Sequence, residues 1–321
     1  MKVLMLAPLQ KENFERIEQC FLEDNFIYAS TKSVTQDMVD QCDVIVGNPP
    51  LSLDLHRPHL QAILLNSAGS DAYVKEGILS PQTLLANASG TYGCAIAEHT
   101  LGMIFAINKN FKTYVHQMDQ GLWQPHQQGT ELYRQTVVIV GLGDLGYTIA
   151  KRLKAFECYI IGVKRRKSKC PDVLDEIYTT ESLDDVLPRA DFVVLALPQS
   201  LQTYHLFDKE KLLRMKKDAV LINVGRGSAI ATSDLIEVLN RGHLYGVGLD
   251  VLEEEPLPPA HPLWKQERVL LTPHVSGGYV WESARHYYTE LVIRNLHHLK
   301  AQEELENLVD FETGYRYHTT L

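Results

Sequence analysis

Cysteine is sparse in this chain, and what there is does not pair. Cys20, Cys42, Cys94, Cys158 and Cys170 are odd in number and nowhere spaced C-x-x-C, which argues against a disulfide scaffold and for a reducing compartment. Long apolar runs are missing too. Nothing approaches the roughly 20 residues a transmembrane helix needs, and the opening Met1-Lys2-Val3-Leu4-Met5-Leu6-Ala7-Pro8 is too short an apolar run for a signal peptide. An overall basic balance is absent: the formal charge of -9 gives no footprint for nucleic acid. There are no long repeats, no low-complexity tracts and no like-charge blocks beyond Lys164-Arg165-Arg166-Lys167. His56, His59, His297 and His298 lack metal-ligand spacing with Cys or acids, so no metal is expected. What remains is a cytoplasmic globular protein with no expected membrane or nucleic-acid partner. Its 321 residues, 45% apolar and 22% charged, are enough for two domains of ordinary size.

The most informative stretch is Thr136-Val137-Val138-Ile139-Val140-Gly141-Leu142-Gly143-Asp144-Leu145-Gly146. Its β-branched start reads as a buried strand, and Leu145, Ile149, Leu153 and Phe156 then recur at helical spacing. The glycines fall at the turn between strand and helix. There Gly141 permits a sharp turn, Gly143 lets a pyrophosphate approach the backbone, and Gly146 lets helix pack on strand. The free N–H groups of the helix start would meet the phosphates. A G-x-G-x-x-G motif is weak alone, but this one lies where the mechanism needs it.

On both sides of this turn, short apolar runs alternate with helical patterns. Val3 to Ala7, Phe26 to Ala29, Val44 to Gly47, Ala62 to Leu65 and Leu84 to Ala86 precede it. Tyr159 to Val163, Phe192 to Leu197, Ala219 to Val224, Gly246 to Val251 and Val269 to Leu271 follow. Ala95 to Ile107 and Glu282 to His298 read as helices, as does Ser233 to Asn240, with Ser233 as its N-cap. The alternation predicts α/β architecture with two doubly wound parallel sheets. In such sheets ligands bind beyond the carboxyl ends of the strands, which draws attention to Gly47-Asn48-Pro49-Pro50 and Asn66-Ser67-Ala68-Gly69-Ser70-Asp71. His99, on an otherwise apolar helix, reads as a buried packing histidine.

Where a nicotinamide fold usually carries an acid for the ribose hydroxyls, this chain has Lys164, Arg165 and Arg166. Basic groups there suit the extra phosphate of NADP, because a guanidinium offers phosphate a bidentate fork. Further on come Asn223-Val224-Gly225-Arg226-Gly227, Gly248-Leu249-Asp250-Val251-Leu252-Glu253-Glu254-Glu255-Pro256 and Leu271-Thr272-Pro273-His274-Val275-Ser276-Gly277-Gly278. Each follows a predicted strand. Taken singly, Arg226, Asp250, Glu255 and His274 suit ordinary loops; their order after a dinucleotide turn is what points to catalysis.

These motifs, with Asn87-Ala88-Ser89-Gly90, Ile96-Ala97-Glu98-His99 and Leu195-Ala196-Leu197-Pro198, run in one order along nearly the whole chain. In this the sequence resembles the D-isomer-specific 2-hydroxyacid dehydrogenases, a family that includes glyoxylate/hydroxypyruvate reductases and phosphoglycerate dehydrogenases. The resemblance implies a flavodoxin-like substrate domain, residues 1–95 plus 286–321, and a Rossmann dinucleotide-binding domain, residues 96–285. It implies hydride transfer between NADP(H), the preferred cofactor here, or NAD(H) and a small 2-oxo acid/(R)-2-hydroxy acid pair. The implied catalytic set is Arg226, Glu255 and His274, with His274 as general acid/base. Ala68, Gly69 and Arg226 would hold the substrate carboxylate. Gly141, Gly143, Asp144, Leu145, Gly146, Lys164, Arg165, Arg166, Leu197, Pro198, Val224, Gly225, Asp250, His274 and Gly277 would contact the cofactor, Asp250 at the nicotinamide carboxamide. A homodimer is implied as well. Ending at Leu321, the sequence leaves no room for the regulatory domain of many phosphoglycerate dehydrogenases. Glu255 stands where formate dehydrogenase relatives carry Gln. A corepressor-like, nicotinamide-sensing binding protein is the alternative reading.

Overall fold

The computed structural model describes residues 1–126 and 128–312. The chain forms two compact units: Met1–Tyr92 joined by the chain from Gly278 onward, and Gly93–Gly277.

In the first unit, β1 (Lys2–Met5), β2 (Asn25–Tyr28), β3 (Val44–Val46), β4 (Ala62–Leu64) and β5 (Leu84–Ala86) make one sheet. Its order is β2-β1-β3-β4-β5, and every pairing is parallel. A parallel sheet has to be covered on both faces, and alternation along β1 shows how. Val3 and Met5 point to a core with Ile17 of α1 (Lys11–Cys20) and Leu291, Val292 and Leu296 of α9 (Glu282–Ala301). Leu4 and Leu6 point to the opposite core, with Val39 of α2 (Gln36–Gln41), Leu55, Leu60 and Ile63.

The second unit has seven strands: β6 (Thr136–Val140), β7 (Tyr159–Lys164), β8 (Glu176–Thr179), β9 (Phe192–Leu195), β10 (Val220–Asn223), β11 (Gly246–Leu249) and β12 (Val269–Leu271). They pair, all parallel, in the order β12-β11-β10-β9-β6-β7-β8. The order reverses between β6 and β9, the point at which a doubly wound sheet opens a crevice for a ligand. Val137 and Ile139 pack against α3 (Gly93–Asn108) and α5 (Asp144–Leu153). Val138 and Val140 pack on the other face, toward residues of α6 (Leu183–Val186), α7 (Lys209–Arg214) and α8 (Thr232–Asn240).

Two local features depart from the sequence reading. Edge strand β8 was not anticipated: its residues are all half-buried, and it is tied down by Arg189 pairing with Glu176 and by the Tyr159 hydroxyl donating to Glu176 at 2.7 Å. Helix α8 starts at Thr232, with Ser233 inside it and Ala231 as an N-cap that has no capping side chain. Its first amide is satisfied from elsewhere, by Glu253 Oε2 at 2.6 Å. Helix α4 (Phe111–Asp119) buries none of its residues and presents Phe111, Val115 and Met118 at i, i+4, i+7 spacing, all exposed. No helix among the described residues is long and apolar enough to cross a membrane.

Candidate active site

The glycine turn sits at the reversal point of the second sheet. Gly141 adopts φ +102°, a left-handed conformation, and a Cβ there would lie 2.5 Å from the Ala196 carbonyl oxygen of the neighbouring loop. A Cβ on Gly146 would lie 2.0 Å from Gly141 O, and one on Gly225 2.6 Å from both Leu197 N and Leu197 O. These contacts draw Gly141, Leu197, Val224 and Gly225 into one wall. Gly143, the N-cap of α5, behaves differently, because nothing stands within 4 Å of where its Cβ would be. The open space therefore lies in front of a helix N-terminus, where backbone N–H groups and the helix dipole favour an anion. Asp144, Leu145 and Gly146 form the first turn of that helix. This cradle fits the pyrophosphate of a dinucleotide.

Lys164 ends β7 and its Nζ lies 3.3 Å from Ser168 Oγ. Arg165 and Arg166 follow, exposed, and neither guanidinium is paired with an acid among the described residues. Leu197 is buried and Pro198 exposed on the loop after β9.

Asp250 follows β11 and is 1% exposed. Its Oδ1 accepts the Thr272 hydroxyl at 2.6 Å and the Val275 amide at 3.0 Å, and its Oδ2 accepts the Ser276 amide at 3.1 Å. Burial alone would raise its pKa, but the hydrogen bonds from Ser276, Thr272 and Val275 outweigh it and hold the carboxyl below its usual range. Through these bonds Asp250 shapes the loop that carries His274. That residue has φ +52°, an uncommon conformation for a side chain with Cβ, and its amide donates to Asp250 O at 2.8 Å.

His274 Nδ1 stands 2.7 Å from Glu255 Oε2, and Glu255 Oε1 accepts the Leu252 amide at 2.8 Å. An ionised carboxylate only accepts, so Nδ1 carries the proton of this bond. The other ring nitrogen, Nε2, has no partner among the described residues, and the ring is half exposed. One nitrogen is thus anchored while the other can exchange a proton with a ligand. Arg226 is half-buried, with Nη1 donating to Gly225 O at 2.8 Å. Its backbone is set by Asn223, whose side chain donates to Arg226 O at 2.9 Å and accepts from Gly225 N at 3.1 Å. The second unit therefore brings Asp250, Glu255 and His274 together by direct contact. Arg226 joins them through the buried Asn223, since Asp250 N donates to Asn223 O at 3.0 Å.

His99 is not the plain packing residue the sequence suggested. It is half-buried, with Nε2 3.0 Å from Thr272 Oγ1 and 3.6 Å from Asp250 Oδ1. Sequence reasoning missed this polar link, along with Asn223, Thr272 and Ser276. The available signal for two of them was a polar residue at a strand end, Asn223 closing β10 and Thr272 directly following β12; Ser276 and the His99 link carried none.

In the first unit, Asn48 organises the 66–69 loop by accepting the Asn66 amide at 2.9 Å and donating to Ser67 Oγ at 3.0 Å. The amides of Ala68 and Gly69 have no hydrogen-bond partner among the described residues. Beside this loop, at the carboxyl ends of β1 and β2, is a concavity of about 510 Å³ lined by Leu6, Ala7, Leu9, Phe14, Tyr28 and Asn48 among others.

Residues 101–276 match the family model described as D-isomer specific 2-hydroxyacid dehydrogenase, NAD binding domain. The chain is 35% identical over 250 residues to a glyoxylate reductase of Thermofilum pendens, covering 74% of this chain and 71% of that one. Among solved structures, a D-isomer specific 2-hydroxyacid dehydrogenase family protein from Aeromonas salmonicida superposes with a TM-score of 0.84 at 27% identity, over 97% of this chain and 99% of that one. An NADPH-dependent glyoxylate/hydroxypyruvate reductase from Sinorhizobium meliloti, solved with NADP and sulfate, gives a TM-score of 0.81 at 26% identity, over 98% and 99% respectively.

Proposed function

This chain belongs to the D-isomer-specific 2-hydroxyacid dehydrogenase family, and we propose that it is an NAD(P)-dependent reductase of a small 2-oxo acid, giving the (R)-2-hydroxy acid, reversibly. The single observation that carries the assignment of roles is the Glu255–His274 pair, with His274 Nδ1 anchored and Nε2 unpaired. Reduction of a ketone needs a proton at the carbonyl oxygen as the carbonyl carbon gains hydride, and His274 Nε2 supplies that proton. Glu255 orients the ring and stabilises the imidazolium that must be present before transfer. Arg226 grips the planar 2-oxo carboxylate with a fixed fork of donors. The free amides of Ala68 and Gly69 are the second carboxylate-binding group we assign.

The nicotinamide cofactor, when bound, supplies the hydride. The residues we assign to it are the cradle Gly141–Gly146, the wall of Leu197, Pro198, Val224 and Gly225, then Asp250 and Gly277. Lys164, Arg165 and Arg166 favour NADPH, since two unpaired guanidinium groups suit a ribose phosphate and repel nothing in it. We assign residues near 1–95 with 286–321 to substrate and 96–285 to cofactor; of these, 313–321 lie outside the described residues.

Two further readings have separate support. The exposed apolar face of α4, with Leu122 and the fully exposed Trp123, is the surface we assign to a homodimer. All five cysteines are free, in keeping with a cytoplasmic setting.

The test is oxidation of NADPH and NADH followed by absorbance with glyoxylate, hydroxypyruvate, pyruvate and phenylpyruvate. Turnover of one or more, faster with NADPH, is the expected result. Tight cofactor binding with no turnover of any of them would overturn the reductase assignment.

A further inference from the structure

We propose that Glu253, which no step above employs, is a positioning residue that holds the catalytic turn Leu252–Glu255 in register, and that His205 is its partner; the inference rests on the role given to Glu255. The Glu253 carboxylate is shared between two segments distant in sequence. Oε1 pairs with His205 Nε2 at 2.5 Å, and Oε2 accepts the Thr232 amide at 2.6 Å. Thr232 is the first residue of α8, whose N-cap has no side chain to offer, so Glu253 caps that helix across space and its charge suits the helix dipole.

His205 is itself fixed. Its backbone sits at φ +49°, its amide donates to Ser228 O at 2.8 Å, and its ring stacks on Tyr204 with centroids 3.9 Å apart. One carboxylate thus joins the loop after Leu197 and Pro198, the segment after Arg226, and the turn that ends at Glu255. The Leu252 end of the turn is seated on Gly227, where a Cβ would lie 1.9 Å from Leu252 C and O, and the turn closes on itself through the bond from Leu252 N to Glu255 Oε1; the stretch between is tied outward by Glu253. Without Glu253 the middle of the turn loses its tie to His205 and Thr232, and with it the placement of Glu255 Oε2 against His274 Nδ1.

The experiment reads that contact directly. In ¹⁵N-labelled protein the His274 Nδ1 proton, assigned by its loss in His274→Asn, is followed by NMR at low temperature in wild type, Glu253→Ala and Glu253→Gln. Glu253→Gln keeps an oxygen for Thr232. The signal is expected to vanish in Glu253→Ala and to persist in Glu253→Gln, and persistence in Glu253→Ala overturns the inference whether or not the protein turns over any 2-oxo acid. Far-UV circular dichroism establishes that each variant is folded at that temperature. A kinetic cycle supplies the second readout: Glu253→Ala lowers kcat about ten-fold or more in the wild type but scarcely at all in a Glu255→Gln background, because coupled residues are non-additive. Equal losses in both backgrounds would show a merely structural role. Turnover failing in wild type while the NMR difference appears would sink the reductase reading and leave the positioning role standing.

Discussion

Asp250 Oδ1 accepts the Thr272 hydroxyl at 2.6 Å, a bond that ties the end of β11 to the segment leading into His274. Because Asp250 also receives the amides of Val275 and Ser276, its removal strands three donors at once, that of Ser276 buried. Asp250→Ala is expected to cost about 2–4 kcal/mol in urea unfolding. The pH dependence has a definite sign. A carboxyl whose folded pKa is depressed contributes fully above the ordinary carboxylate range, and that contribution fades as pH falls through the folded value. The stability gap between wild type and Asp250→Asn should therefore narrow on acidification; a gap that widens would contradict the hydrogen-bond account.

Replacing His274 with Asn removes the proton donor and leaves the cradle intact. We expect kcat to fall roughly 100- to 10,000-fold while the Kd for reduced cofactor, measured by fluorescence, moves less than about two-fold. Unchanged turnover would remove His274 from the acid role.

Arg165 and Arg166 test the cofactor preference. The double substitution to Ser should weaken NADPH binding by roughly 10- to 100-fold, since charge-assisted hydrogen bonds to phosphate are lost, and leave NADH nearly untouched. Isothermal titration with both cofactors decides it, and equal losses would show that the cluster is only a solvated turn.

The glycines of the turn should separate fold from binding. Gly146→Ala drives a methyl against Gly141 O, so we expect a loss of about 1–3 kcal/mol and a lower Tm. Gly143→Ala meets nothing, so Tm should hold while cofactor affinity drops. The reverse pattern would refute the placement of the phosphates before α5.

Trp123 is 100% exposed and Met118 75%, an unusual cost for a surface left in water. Sedimentation velocity should show a dimer for the wild type and a shift toward monomer in Met118→Glu/Trp123→Glu. A monomeric wild type would discard this face as an interface.

Most strands were legible because they are buried on both faces, and continuous runs such as Val44-Ile45-Val46 and Val137-Val138-Ile139-Val140 admit few other readings. Strand β8 was not, because Glu176-Ile177-Tyr178-Thr179 is a half-buried edge held by Arg189, thirteen residues away in sequence. Ser233 was misread as a cap for a related reason. Capping chemistry is recognised locally, whereas α8 takes its cap from Glu253, 21 residues downstream.

The same distinction divides the candidate site. By itself the sequence determined the residue types at each strand end, the glycine turn between β6 and α5, and the succession Arg226, Asp250, Glu255, His274, because backbone sterics and hydrophobic periodicity act over a few neighbours. Only the tertiary structure decided that Asp250 organises the His274 loop, that His99 reaches Thr272 from α3, and that Glu253 and His205 pin the turn bearing Glu255. Those bonds join groups from 21 to 173 residues apart, and which donor meets which acceptor is settled by the packing of the sheet and helices.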